Sequence, residues 1–221
     1  HEQAGLIHVL ASEVARLAGA KLGVIGEAAN SVGGYLAGAV PFVGDVKGKN
    51  VSEMLASKIK AYLLLGVEPS LDMAAGATAL SSIREAEMVA VLSPFKSAEL
   101  MEVADVLLPI APFTETAGTF VNCEGRVQSF FPVVKSLGES RPGWKALRVL
   151  GSTLGLSDFS FETVEDVRAR MAPVFSGDVS GLSNDVGAKL EKLPVKSAAI
   201  ERVADVPIYF ADPIAQIGRA S

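Results

Sequence analysis

Apolar residues along this chain come in short runs, broken by glycine, proline and small polar clusters. In "SEVARLAGA" (12–20), Val14, Leu17 and Ala18 fall on one face at helical spacing. "KLGVIG" (21–26) reads as a strand, and "EAANSVGGYLAGAV" (27–40) as a small-residue helix or loop after it. "SEMLASKI" (52–59) predicts a helix with Ser52 as N-cap. "AYLLLGVEPS" (61–70) is the clearest strand, an apolar run closed by Gly66 and Pro69 and of the kind buried on both sides. "ATALSSIREA" (77–86) follows as helix and "EMVAVLSP" (87–94) as strand. "KSAELMEVA" (96–104) is helix again, with Ala98, Met101, Val103 and Ala104 near its inner face, and "DVLLPIAP" (105–112) closes the series as a strand. This alternation predicts an α/β fold: a mostly parallel, Rossmann-like sheet with helices on both faces. The order of the strands is not legible from these runs.

Past Pro112 the rhythm changes. "GTFVN" and "RVQSF" are short strand candidates flanking "CEG". "PGWKALRVLGSTLGL" (142–156) is helical, with Pro142 near its start. "SFETVEDVRARMAPVF" (160–175) is a helix that Thr163 can cap, with Glu165 and Asp166 suited to its positive end. Residues 176–195 are rich in Ser, Gly and Asp and read as surface loop. "VPIYFADPIAQIGRAS" (206–221) carries a strand-like apolar core and stops without a terminating signal. The expected division is an α/β domain over 1–155, including a hairpin at 114–130, and a helical and loop extension over 156–221.

Composition supports a well-buried α/β core: 49% of the 221 residues are hydrophobic and only 6% aromatic. Net charge is −5 with acids and bases interspersed, so nothing forms a basic stripe for nucleic acid. The longest apolar runs stop far short of the ~20 residues a spanning helix needs. Cys123 is the single cysteine, and His1 and His8 are the only histidines. Neither an internal disulfide nor a four-thiolate iron–sulfur cluster can be built from that set, and a zinc site is poorly served by it.

The usual chemistries find little here. "GVIGEAANSVGG" has glycines at a strand end but fits neither G-x-G-x-x-G nor G-x-x-x-x-G-K-[ST]; close helix–sheet packing is its plainer reading. A G-x-S-x-G elbow is missing, and His8 precedes the first strand, which leaves Cys123 without a base. Cys123 then reads as a small, half-buried apolar residue. Glu115 and Glu124 form a carboxylate pair without the aromatic platform a glycosidase would offer, Trp144 being the one tryptophan.

The stretch "TETAGTFVNCEGRVQSF" (114–130) has a local physical reading. A type I turn followed by a left-handed glycine would close a hairpin, with Gly125 in that position. Gly118 would allow a bend or a close approach. Glu115, Asn122, Glu124, Arg126 and Gln128 can tie the hairpin to the carboxyl edge of the sheet, and Arg126 is placed to pair with either acid.

The same stretch with its approach, "VADVLLPIAPFTETAGTFVNCEGRVQSF", resembles the A-D-x-x-L-P…E-x-x-G-T-x-x-N-x-E-G-R-x-Q signature of the molybdopterin oxidoreductase family. Asp105, Pro109, Glu115, Gly118, Thr119, Asn122, Glu124, Gly125, Arg126 and Gln128 match it, along with Ala104 and Leu108. "YLLLGVEPSLD" looks like that family's strand and G-x-N-P turn, with Glu68 in place of the usual Asn. The continuation "VVKSLGESRPGWKALRVLGSTLGL" and the terminal "PIYFADPIAQIGRAS" are similar to the large iron–sulfur (G-type) subunits of respiratory NADH-quinone oxidoreductase, complex I. In that tail Gln216 and Ile217 replace a basic stretch.

The resemblance implies a piece of a longer subunit whose iron–sulfur clusters lie in cysteine-rich N-terminal segments. It implies no catalytic, cofactor-binding or metal residue in this chain, the signature being a structural hairpin. The implied partners are other subunits of the complex I peripheral arm, with no nucleic acid and no direct membrane insertion. The implied location is the cytoplasmic side of the inner membrane, as a peripheral part of a membrane complex.

Overall fold

A computed structural model describes residues 4–26, 28–43, 46–73 and 76–175. The centre is a three-stranded parallel sheet of β3 (Ala61–Leu65), β4 (Met88–Ser93) and β5 (Val106–Pro109), in that spatial order. Its register sets Leu64 beside Val91 and Val91 beside Leu107. Helix α5 (Gly76–Arg84) crosses from β3 to β4, and α6 (Ala98–Val103) from β4 to β5. Short α4 (Pro69–Asp72) leads out of β3. Parallel neighbours need such crossovers, which is why strand and helix alternate along this part of the chain.

The core lies on one face of that sheet. Tyr62, Leu64, Val89 and Val91 pack against Ile83 of α5 and against Leu100 and Val103 of α6. Helix α3 (Val51–Leu55) adds Met54, whose carbonyl accepts the Tyr62 hydroxyl at 3.3 Å. Ile83 and Leu100 are essentially inaccessible, and burial of such side chains stabilises by roughly 1.5–3 kcal/mol each. On the opposite face Leu63 and Leu108 are nearly half exposed, and Leu65, Met88 and Val106 are also open. Leu92 shares that face and is buried, so burial on both faces, expected from the uninterrupted apolar runs, holds among the described residues only at the middle strand. Within α6 the inner positions are Leu100 and Val103, whereas Ala98 and Met101 face solvent.

Before β3 the chain forms α1 (Ala4–Ala18), α2 (Ser31–Leu36), and a two-residue antiparallel pair, β1 (Phe42–Val43) with β2 (Val46–Lys47). Residues 21–26 are not a strand, and Val24 and Ile25 are exposed. The cap of α3 is Asn50, not Ser52. Its side chain accepts Glu53 N–H at 2.9 Å while the Glu53 carboxylate accepts Asn50 N–H at 2.9 Å.

A 3₁₀ turn (Phe113–Glu115) leads into an antiparallel hairpin of β6 (Gly118–Val121) and β7 (Val127–Phe130). Next come α7 (Gly143–Thr153) and α8 (Val164–Met171). Between hairpin and α7 the chain returns to the sheet, where Arg141 bridges Ile110 in parallel and accepts Ala111 N–H at 2.8 Å. The fold is thus α/β, with a parallel three-stranded sheet, helices and a small antiparallel hairpin. The loop expected over 176–195 and the strand-like terminal segment lie outside the described residues.

Thr163 caps α8 as the sequence suggests, in a reciprocal box with Asp166. The Thr163 N–H, the Thr163 hydroxyl and the Glu162 N–H hold the Asp166 carboxyl below its usual range. A carboxyl with a lowered folded pKa contributes stability above its unfolded value, and that contribution disappears as pH falls through the folded pKa. Asp166→Ala should therefore lower urea stability at neutral pH, with the gap from wild type closing as pH falls below the ordinary aspartate range. A gap that persists unchanged at low pH would show that the helix loses something other than the charged cap.

Candidate functional site

The signature residues fall into two groups, one fixing the sheet and one building the hairpin. Asp105 belongs to the first. Its carboxylate accepts Val89 N–H at 2.7 Å and its own N–H donates to Val89 O at 2.9 Å, which locks the start of β5 to the start of β4. Pro109 ends β5 beside Ser93, where a missing N–H costs nothing because the ladder passes to Ile110 N–H on Ser93 O.

The hairpin tip is the turn Asn122–Cys123–Glu124–Gly125, closed by Gly125 N–H on Asn122 O at 3.0 Å. Gly125 is buried with φ +79°, the left-handed region glycine enters at little cost. The Asn122 side-chain oxygen accepts Glu124 N–H at 3.0 Å and Arg126 N–H at 2.9 Å. One amide thus satisfies two backbone donors of the turn. Asn122→Ala should cost about 0.5–1.5 kcal/mol through the loss of two exposed hydrogen bonds, measured as a shift in denaturant midpoint; a change under a few tenths would show that water replaces the amide without loss.

Along the strands Thr119 and Ser129 share a hydroxyl contact of 2.9 Å. Gly118 lies under the Phe130 ring, where an added Cβ would come within 2.3 Å of Cζ. That ring meets Phe120 edge-on at 5.2 Å. Gln128 is exposed opposite Phe120. Glu115 reaches the other way: its carboxylate accepts Leu137 N–H at 2.9 Å, and Val133 N–H donates to Thr114 O at 2.8 Å, so the loop after the hairpin folds back on the 3₁₀ turn.

The structure does not bring together everything the sequence suggested. Among the described residues no ion pair joins Arg126 to Glu115 or Glu124, and both Arg126 and Glu124 are exposed. Cys123 is exposed at the turn rather than half-buried. The hairpin is anchored by Asn30 at the head of α2, whose side-chain oxygen accepts Val121 N–H at 2.8 Å. Gly33 allows this, since a Cβ there would collide with the Asn30 amide. The small residues of 27–40 thus permit close packing on the hairpin. The "ANS" stretch hints at a polar cap, but a partner 91 positions away leaves no trace in local sequence.

Sequence reasoning also missed the arrangement at the carboxyl edge of β3. That edge, beyond Gly66 (φ +61°), is where parallel sheets usually receive anionic ligands on free backbone N–H groups. Here carboxylates of the chain itself take those donors. Glu99 of α6 accepts Ser70 N–H at 2.9 Å and the Ser70 hydroxyl, and Asp72 accepts Glu68 N–H at 2.7 Å. Glu68, Asp72 and Glu99 make this edge anionic. A pyrophosphate would meet like charge and occupied donors, so the residues present do not fit one here. Among the described residues no group of three or more His, Cys, Asp or Glu side chains could hold a metal ion. No helix among them is long and apolar enough to cross a membrane.

Comparison with known proteins places these features. The family described as molybdopterin oxidoreductase matches residues 4–153. A Staphylococcus aureus protein (strain bovine RF122 / ET3-1) named "Putative formate dehydrogenase" is 39% identical over 77 residues, 34% of this chain. A similarly named protein of strain USA300 is 36% identical over 77 residues, again 34% of this chain. Each alignment covers 8% of the relative's own length.

Proposed function

This chain belongs to the molybdopterin oxidoreductase family, and from that premise we propose that it is a structural and interaction domain of an NADH-quinone oxidoreductase large subunit. In this reading it carries no redox centre of its own. It supports electron transfer from NADH, through iron–sulfur clusters held elsewhere in the subunit, to quinone. Its partners are the other subunits of the peripheral arm, and it sits at the cytoplasmic face of the membrane as a peripheral component.

One observation carries the reading: the donors at the carboxyl edge of β3 are consumed by Glu99 and Asp72. An edge built to hold a dinucleotide pyrophosphate leaves such donors free and avoids acids. The signature residues support the same view, because those with partners serve the fold: Asp105 ties two strands, Asn122 and Gly125 shape a turn, and Glu115 holds a loop.

A second reading is favoured by the names of the relatives. In it the domain encloses part of a pterin cofactor in a pterin-dependent oxidoreductase, and segments outside this chain complete the site.

Activity of the native full-length protein separates the two. The first reading expects it to co-purify with NADH-dependent quinone reduction, unaffected by Cys123→Ser. Formate-dependent dye reduction without NADH:quinone activity would overturn it in favour of the second.

A further inference from the structure

The loop of residues 131–142 and the start of α7 line an open concavity of about 460 Å³. Three cations line it, Lys135, Arg141 and Lys145, against one acid, Glu115. The concavity therefore carries two excess positive charges on a chain whose net charge is −5.

These charges are not neutralised within the described residues. The four ion pairs found there involve Arg16, Lys60, Arg84 and Arg170. Glu115 is already engaged with the Leu137 N–H. The Arg141 guanidinium spends one Nη1 contact on Ser140 O at 2.9 Å, which leaves further N–H donors of its planar fork. Lys145 stands 5.4 Å from the centre of the Trp144 ring, a contact that orients the ammonium without neutralising it.

Two further features suit an anion with an organic body. Helix α7 is 11 residues long and starts behind Pro142, which offers no side-chain cap, so the positive end of the helix adds to the cationic side chains. Exposed Val133 and Val134 form an apolar wall beside the charges.

We propose that this cavity binds a small organic anion through a phosphoryl group, contacted by Lys135, Arg141 and Lys145. A phosphoryl dianion matches the two-charge excess. Its several acceptor oxygens use a guanidinium fork and two ammonium groups better than a lone carboxylate would. None of these residues belongs to the Ser70–Glu99 and Glu68–Asp72 contacts on which the first functional reading rests.

Inorganic pyrophosphate is the probe, and site-resolved lysine acetylation of the native full-length protein is the readout. Pyrophosphate should slow acetylation of Lys135 and Lys145 several-fold and saturably, while Lys58, an exposed lysine elsewhere, keeps its rate. Sodium chloride at matched ionic strength should not reproduce the effect, because simple screening acts on all exposed charges alike. Arg141→Gln should abolish the protection of both lysines; if that variant does not fold, Lys145→Gln should abolish the protection of Lys135. Absence of protection, equal protection by chloride, or equal protection at Lys58 would overturn the proposal.

Discussion

Leu100→Ala should lower the stability of the chain by about 2–5 kcal/mol, the range for emptying a fully buried leucine site. Leu100 is inaccessible to solvent and joins α6 to Tyr62, Leu64, Val89 and Val91 on the packed face of the sheet. The cost combines lost transfer energy with an unfilled cavity, since β4 is held on both sides by β3 and β5 and cannot collapse inward freely. The effect should also reach the carboxyl edge, because α6 carries Glu99, which holds Ser70. A denaturant titration would record the loss as a lower midpoint with unchanged slope. A cost under ~1 kcal/mol would mean that α6 is not part of the cooperative core.

Gly125→Val should destabilise by about 1–3 kcal/mol, for a backbone rather than a packing reason. At φ +79° a β-branched residue clashes with its own backbone, and Gly125 is buried, so the turn has little room to relax. The turn would open or the two-strand register would shift, removing the closure by Gly125 N–H and loosening the Asn122 amide from its two donors. Gly125→Asn should be milder, because Asn enters the left-handed region more readily. Thermal stability equal to wild type in the valine variant would refute this account of the hairpin.

Much of the fold was legible because its determinants are local. The β3, β4 and β5 runs are apolar, short and bounded by glycine, proline or polar residues, and the helices between them have their own periodicity. The hairpin tip was legible for the same reason: Asn122 and Gly125 act within four residues of each other. Asn50 and Glu53 also spell out a capping box in sequence; Ser52 drew attention only because it stands nearer the apolar residues.

What failed depended on partners. "KLGVIG" has strand composition, but composition alone does not make a strand, and residues 21–26 belong to no sheet among the described residues. Leu63, Leu65 and Leu108 look like residues of a doubly covered strand, and nothing in their spacing tells which face is covered. The same limit applies to the site. The Asn30–Val121 anchor, the Glu115–Leu137 tether and the Ser70–Glu99 lock join residues 91, 22 and 29 positions apart. Glu68 stood out in sequence as a departure from the family turn, but that the edge is closed by Asp72 and Glu99 follows only from the three-dimensional arrangement.

We propose that this edge supports a scaffold rather than a cofactor cradle. The most direct test is to measure molybdenum, tungsten, iron and released pterin in the native full-length protein, by elemental analysis and fluorescence. A scaffold domain predicts iron with neither pterin nor molybdenum nor tungsten. Stoichiometric pterin with either metal would contradict it, and the carboxylates at the end of β3 would then have to yield their donors when the cofactor binds.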